Sequence, residues 1–273
     1  MYNQNSYLLG SNRSCIRELF EYGNARAAMV GRENVFDYSL GNPSIPAPKA
    51  VDRTIREILE DTDSLAIHGY TSAIGDLAAR TAIADDLNRR YNAQAAPADF
   101  FIAGGAAPEL VAVFRALAVP GAEILALAPY FPEYKPFVES AGITFKVVPP
   151  MPPTFQINLR KLEAMVTPNT QAVIVNSPNN PTGVVLDAVS LANVKAAVLG
   201  KPIFVICDNV YNQLCYGASC PDLSLDADLR EQMILCQSFS KPYAMTGWRV
   251  GYLTCPDYVM ERFLLLSAAT ITA

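Results

Sequence analysis

Hydrophobic residues along this 273-residue chain fall into two patterns that take turns. Short apolar runs at 100–103, 122–127, 143–148, 171–176, 202–207, 232–237 and 250–253 predict strands buried on both faces. Between them, apolar positions spaced by three and four predict helices over 106–118, 131–141, 158–166, 187–199 and 256–271. Upstream, the same spacing predicts a strong helix at 75–91, with further helical stretches at 50–59 and 12–22. Residues 36–40 read as a short extended piece before the turn Gly41-Asn42-Pro43-Ser44. Strands alternating with helices call for an α/β fold, a mostly parallel sheet with helices on both faces. The stretch Pro149 to Pro153 reads as an extended connector, and no internal repeat is visible.

The carboxyl ends of three of these strands carry the polar residues of interest. Asn176-Ser177-Pro178-Asn179-Asn180-Pro181-Thr182-Gly183 follows one run, Asp208 ends the next with Tyr211 three residues on, and Ser238-Phe239-Ser240-Lys241 follows the third. In open α/β sheets ligands collect beyond such ends, so the three segments can converge on one crevice. Burial at the rim of a core disfavours an ammonium, so Lys241 is suited to act unprotonated as a nucleophile toward an aldehyde. Arg249, eight residues later, is a fixed cation suited to a phosphate, with the Ser238 and Ser240 hydroxyls nearby. Lysine for an aldehyde and arginine for a phosphate point together to pyridoxal phosphate; taken alone, they are also compatible with an ordinary surface loop.

Composition narrows the class further. Half of the chain is apolar (51%) and only 17% is charged, which implies a sizeable covered interface or additional chain over this surface. The net charge of −5 and the lack of a basic stripe argue against a nucleic-acid partner. No apolar run approaches the roughly 18–20 residues of a membrane span, and the N-terminus lacks the pattern of a signal peptide, so a cytoplasmic location is expected. Six scattered cysteines without a Cys-x-x-Cys pair read as small buried hydrophobes rather than disulfides or metal ligands. One histidine, His68, is too few for a zinc site or a serine-type triad, and it is expected to be structural. The sequon Asn12-Arg13-Ser14 is read as a chance match.

The order Gly-Ala, Asn-Pro-Thr-Gly, Asp-x-x-Tyr, Ser-x-Ser-Lys and Gly-x-Arg resembles the fold-type I pyridoxal-phosphate enzymes, in particular the class I/II aminotransferases, over about residues 35 to 273. The resemblance implies a three-layer α/β/α large domain with a seven-stranded sheet at 49–273. It makes residues 1–48 an N-terminal arm with a segment of the small domain and active-site loop. Members of that family usually continue well past the position of Ala273 into a small domain whose arginine holds the substrate carboxylate. That arginine has no counterpart here, and the small domain is expected to be largely missing.

The resemblance also implies roles. Lys241 would carry the Schiff base to pyridoxal 5′-phosphate and shuttle the proton at the substrate Cα. Asp208 would pair with the ring nitrogen, and Tyr211 and Asn180 with the phenolic oxygen. Phe131 would stack on the ring, with Tyr130 as its competitor. Gly105, Ala106, Ala107, Ser238, Ser240 and Arg249 would hold the phosphate, joined by Tyr70 from the other subunit of a homodimer. Gly41 and Asn180 would face the substrates, an amino acid and a 2-oxo acid. The implied reaction is amino-group transfer. The same cofactor chemistry would also serve a carbon–sulfur β-lyase or a decarboxylase, and a chain without the arginine could be a weakly active or inactive fragment.

Overall fold

A computed structural model describes residues 2, 4–11, 15–216 and 220–261. The chain divides into two compact units, Met1–Pro46 and Ala47–Ala273. The first unit holds helices α1 (Gln4–Ser11) and α2 (Cys15–Val30) and a 3-10 turn at Arg32–Asn34. Helix α2 runs well past the expected stretch because the good helix formers from Ala25 to Met29 extend it. It stops at Gly31, whose φ of 89° suits a residue without Cβ and whose amide donates to the Ala27 carbonyl at 3.0 Å. Residues 36–40 form no strand. The sequon at 12–14 and the end of the last expected helix, beyond residue 261, lie outside the described residues; 257–261 are helical.

The second unit opens with α3 (Lys49–Asp61), α4 (Ser64–His68) and α5 (Leu77–Tyr91). The hydrophobic pattern does not announce α4, which is only five residues long and starts where the Asp63 side chain accepts the Leu65 amide at 2.9 Å. Helix α5 starts two residues later than its periodicity suggests. Gly75 turns the chain with φ 98°, and Asp76 caps the helix by accepting the Ala79 amide at 2.9 Å.

Strands β1 (Phe101–Ala103), β2 (Glu123–Leu127), β3 (Thr144–Val148), β4 (Thr170–Asn176), β5 (Phe204–Asp208), β6 (Met233–Ser238) and β7 (Gly251–Thr254) then form one sheet. Its order is β1-β7-β6-β5-β4-β2-β3. All neighbours run parallel except β7, which is antiparallel to both β1 and β6. The intervening helices are α6 (Ala106–Ala116), α7 (Tyr134–Ser140), α8 (Leu159–Glu163) and α9 (Ala188–Val198). Helix α7 begins three residues later than expected, since Pro132 disfavours helical backbone at Phe131.

Alternation along the strands builds two cores. Ala172 and Ile174 of β4, Ile206 of β5 and Ile234 of β6 face α6 and α7, packing with Leu110, Phe114 and Val138. Val173, Val175, Val205 and Leu235 face the other way, against Leu162 of α8 and Val194 of α9. A smaller cluster sets Ile83 of α5 against Phe100 and Tyr252. Burying a strand on both faces requires apolar residues at every position, which is why these strands read as continuous runs. The register then lines up their carboxyl ends: Asn176 pairs with Asp208, Asp208 with Cys236, and Ser238 with Gly251.

Candidate active site

Asp208 shares the sheet face of Ile206 and so points toward α6 and α7. It is buried, and Oδ2 accepts a hydrogen bond from the Tyr134 hydroxyl at 2.5 Å. Oδ1 has no hydrogen-bond partner among the described residues. Burial raises the carboxyl pKa to about 6, and the Tyr134 bond, with the nearby backbone N–H of Val210, holds it from going higher. Tyr134, itself fully buried, has its own pKa pushed well up by burial and by the Asp208 charge. It therefore remains a donor. Asn176 clamps the neighbourhood: its side-chain amide donates to the Asp208 carbonyl at 2.8 Å, and its Oδ1 accepts the Asn180 amide at 2.7 Å.

Removing the Tyr134 hydroxyl leaves both carboxylate oxygens of Asp208 without a side-chain donor. Tyr134→Phe is expected to cost about 1–3 kcal/mol at about pH 8, the penalty for a buried unsatisfied group. The cost shrinks below about pH 6, where Asp208 is protonated. Urea unfolding at both pH values checks this.

The segment after β6 turns tightly. The Ser240 amide donates to Ser238 Oγ at 3.1 Å, and the two hydroxyls, both buried, stand 2.9 Å apart. Lys241 follows, half-buried, with Nζ 6.0 Å from the centre of the Tyr211 ring. Burial lowers its pKa and the Arg249 guanidinium lowers it further, both favouring the neutral amine. Arg249 holds left-handed backbone with φ 55°, and its Nη1 donates to the Thr246 carbonyl at 3.0 Å. Across from it, Gly105 opens α6 with φ 102°, and a Cβ there would stand 3.0 Å from Arg249 Nη2. Glycine is needed at this position for its φ and for the close approach of the guanidinium. The α6 start, through Ala106 and Ala107, the serine hydroxyls and Arg249 together have the chemistry of an anion cup.

Asn180 Nδ2 lies 3.5 Å from the Tyr211 hydroxyl, so these two side chains from successive strand ends meet. Burial raises the Tyr211 pKa, the Asp208 charge adds to this, and the Asn180 contact offsets part. Phe131 packs edge-on against Tyr134, with ring centres 5.4 Å apart, which links it to Asp208. Tyr130 packs instead against Phe145 of β3, at 5.0 Å. A cavity of 1210 Å³ beside α5, lined by Ile83, Arg90 and Tyr243, includes Gly104, Ser238 and Val250 but not Asp208 or Lys241. The candidate site is therefore defined by its polar groups rather than by that hollow.

Two expected residues stand elsewhere in the description. Tyr70 is 90% exposed, and Gly41 belongs to the N-terminal unit. His68, expected to be structural, is exposed at the last residue of α4, because that short helix buries nothing. Tyr134 was missed by motif reading, because it sits inside a stretch that passes for core, and Asn176, although it opens one of the motifs, was given no role there. A further carboxyl, Glu109, interrupts the apolar face of α6 formed by Leu110, Val113 and Phe114, and that interruption is legible in the sequence. Among the described residues no three metal-ligating side chains cluster, and no helix is long and apolar enough to cross a membrane.

The family described as aminotransferase class I and II matches residues 33–272. A probable N-acetyl-LL-diaminopimelate aminotransferase of Bacillus subtilis is 30% identical over 85% of the chain, which spans 58% of that protein. An aspartate aminotransferase of Thermotoga maritima is 31% identical over 86% of the chain, which spans 62% of it. Among solved structures, an amino transferase from Eubacterium rectale superposes with a TM-score of 0.91 at 40% identity, covering 99% of this chain and 71% of that one. The chain thus spans about three fifths of the length of these curated relatives. By sequence, by sheet and by the extent of the match, it belongs to the class I and II aminotransferases.

Proposed function

We propose that the chain is the cofactor-binding part of a pyridoxal-phosphate-dependent aminotransferase, which moves an amino group from an amino acid to a 2-oxo acid. The observation that carries this reading is the orphaned Oδ1 of Asp208, a buried acceptor awaiting a cation at the edge where Lys241 also stands. An unanswered carboxylate in that position is costly, and a protonated ring nitrogen would answer it. The anion cup of Gly105, Ser238, Ser240 and Arg249 supports the same ligand, whose phosphate it suits. These residues fit the group.

When bound, the cofactor supplies an electron sink for the bond broken at the substrate Cα. Asp208 would keep the proton on the ring nitrogen. Lys241 Nζ, biased toward the free amine, would bond to the aldehyde carbon and, once displaced, carry the proton to and from Cα. Tyr211 and Asn180 would donate to the ring oxygen, and Phe131 would cover one face of the ring. Gly41 and Asn180 would face the substrates. Tyr70, free on the surface of one protomer, would reach the phosphate of its partner in a homodimer.

The test is to add pyridoxal 5′-phosphate, record the visible spectrum, reduce with borohydride and map the modified peptide by mass. The expected result is a new visible band and covalent label at Lys241, both lost in Lys241→Ala. Equal labelling of wild type and variant would overturn the assignment.

A further inference from the structure

Helix α6 carries a carboxyl that none of the roles above uses. Glu109 is the fourth residue of the helix and only 1% exposed, and neither of its oxygens has a hydrogen-bond partner among the described residues. The titratable groups that face it are Asp208 from β5, Cys236 from β6 and Tyr252 from β7, and none of these three is a cation. It sits directly behind the anion cup. A Cβ built on Gly251 would stand 2.6 Å from Glu109 Oε1 and 2.9 Å from Gly105 Cα. Burial pushes the Glu109 pKa well above the carboxylate range, the Asp208 charge adds to this, and the nearby backbone N–H of Gln237 offsets only part.

The position of this carboxyl matters because of what the helix start does. The free amides of the first turn carry about half a positive charge, and that charge draws a phosphate. A neutral Glu109 leaves it intact. An ionised Glu109, about one turn away, would cancel much of it and repel the phosphate through an interior of low dielectric.

We propose that Glu109 is a proton gate on anion binding at the start of α6: neutral, it leaves the cup open to a phosphate, and on losing its proton it drives the phosphate out. The inference rests on the reading of Gly105 to Ala107 as a phosphate subsite. Linkage makes the effect reciprocal, so phosphate binding raises the hold of Glu109 on its proton.

Calorimetric titration of the protein with inorganic phosphate, and separately with pyridoxal 5′-phosphate, tests the gate between about pH 6 and about pH 10. Wild type is compared with Glu109→Gln and, in case that amide disturbs the fold, with Glu109→Met. All three are expected to bind alike at the acid end. At the alkaline end wild type should fall about tenfold below both variants, a coupling of ordinary size. Parallel pH curves for all three would overturn the gate and leave the phosphate subsite standing. No binding by any of the three folded proteins would overturn both.

Discussion

Asp208→Asn is expected to yield a protein that is more stable and that binds pyridoxal 5′-phosphate about a hundredfold or more weakly. The gain comes from the cost of burying the carboxylate. A rise in pKa from 3.8 to about 6 corresponds to about 3 kcal/mol. The sign follows from which state binds more protons. Below pH 3.8 Asp208 is neutral whether the chain is folded or not, and nothing is lost. As pH rises to about 6 the unfolded chain ionises while the folded one resists, so stability falls, and above about 6 the full cost is present. Asparagine keeps the shape and an acceptor for Tyr134 but carries no charge to bury. The loss in binding comes from removing one partner of a buried ion pair, roughly 3–5 kcal/mol. Urea unfolding from about pH 4 to about pH 8, with cofactor titration in parallel, checks both halves. A variant with wild-type stability at about pH 8 would mean that Asp208 carries no such cost.

Gly251→Ala is expected to destabilise the protein by about 3 kcal/mol and to spoil the anion cup at the same time. The added Cβ would stand 2.6 Å from the Gln237 carbonyl oxygen, 2.6 Å from Glu109 Oε1 and 2.9 Å from Gly105 Cα. Two of these three are backbone atoms. They belong to β6 and to the turn that opens α6, so relief requires moving an element rather than rotating a side chain. Overpacking of this kind typically costs about 1–3 kcal/mol, and more where the neighbours are rigid. Gly247→Ala is the control: nothing lies within 4 Å of its Cβ position, and its effect is expected to stay within about 0.5 kcal/mol. Thermal unfolding of the two variants, with phosphate titration of each, separates a clash at the cup from a general intolerance of alanine. Equal stabilities would remove the claim that Gly251 is fixed by contact.

Much of this architecture was legible in the sequence because strands buried on both faces leave unbroken apolar runs, and all seven fall within two residues of the expected bounds. The segments at strand ends were legible for the same reason, since they begin where those runs stop. Tyr134, the role of Asn176 and α4 were not. Tyr134 acts through a contact with Asp208, 74 residues away, which no local pattern encodes. The amide of Asn176 looks like the first residue of a turn, and its clamp on β5 exists only once the strands are in register. Helix α4 is set by a single cap rather than by periodicity.

The place of β7 between β1 and β6 has a bearing on the dimensions of the cup. The α6 start hangs from β1, and the serine pair hangs from β6, two strands that are not hydrogen-bonded neighbours. Neighbouring strands lie about 4.8 Å apart, so the two halves of the cup are spaced by about 10 Å, with one intervening strand as the gauge. That strand runs against the others, and so Arg249 enters the gap at its head just as Gly105 and Ser238 reach the same edge from below. The width available to an anion is therefore fixed by hydrogen bonding along the backbone.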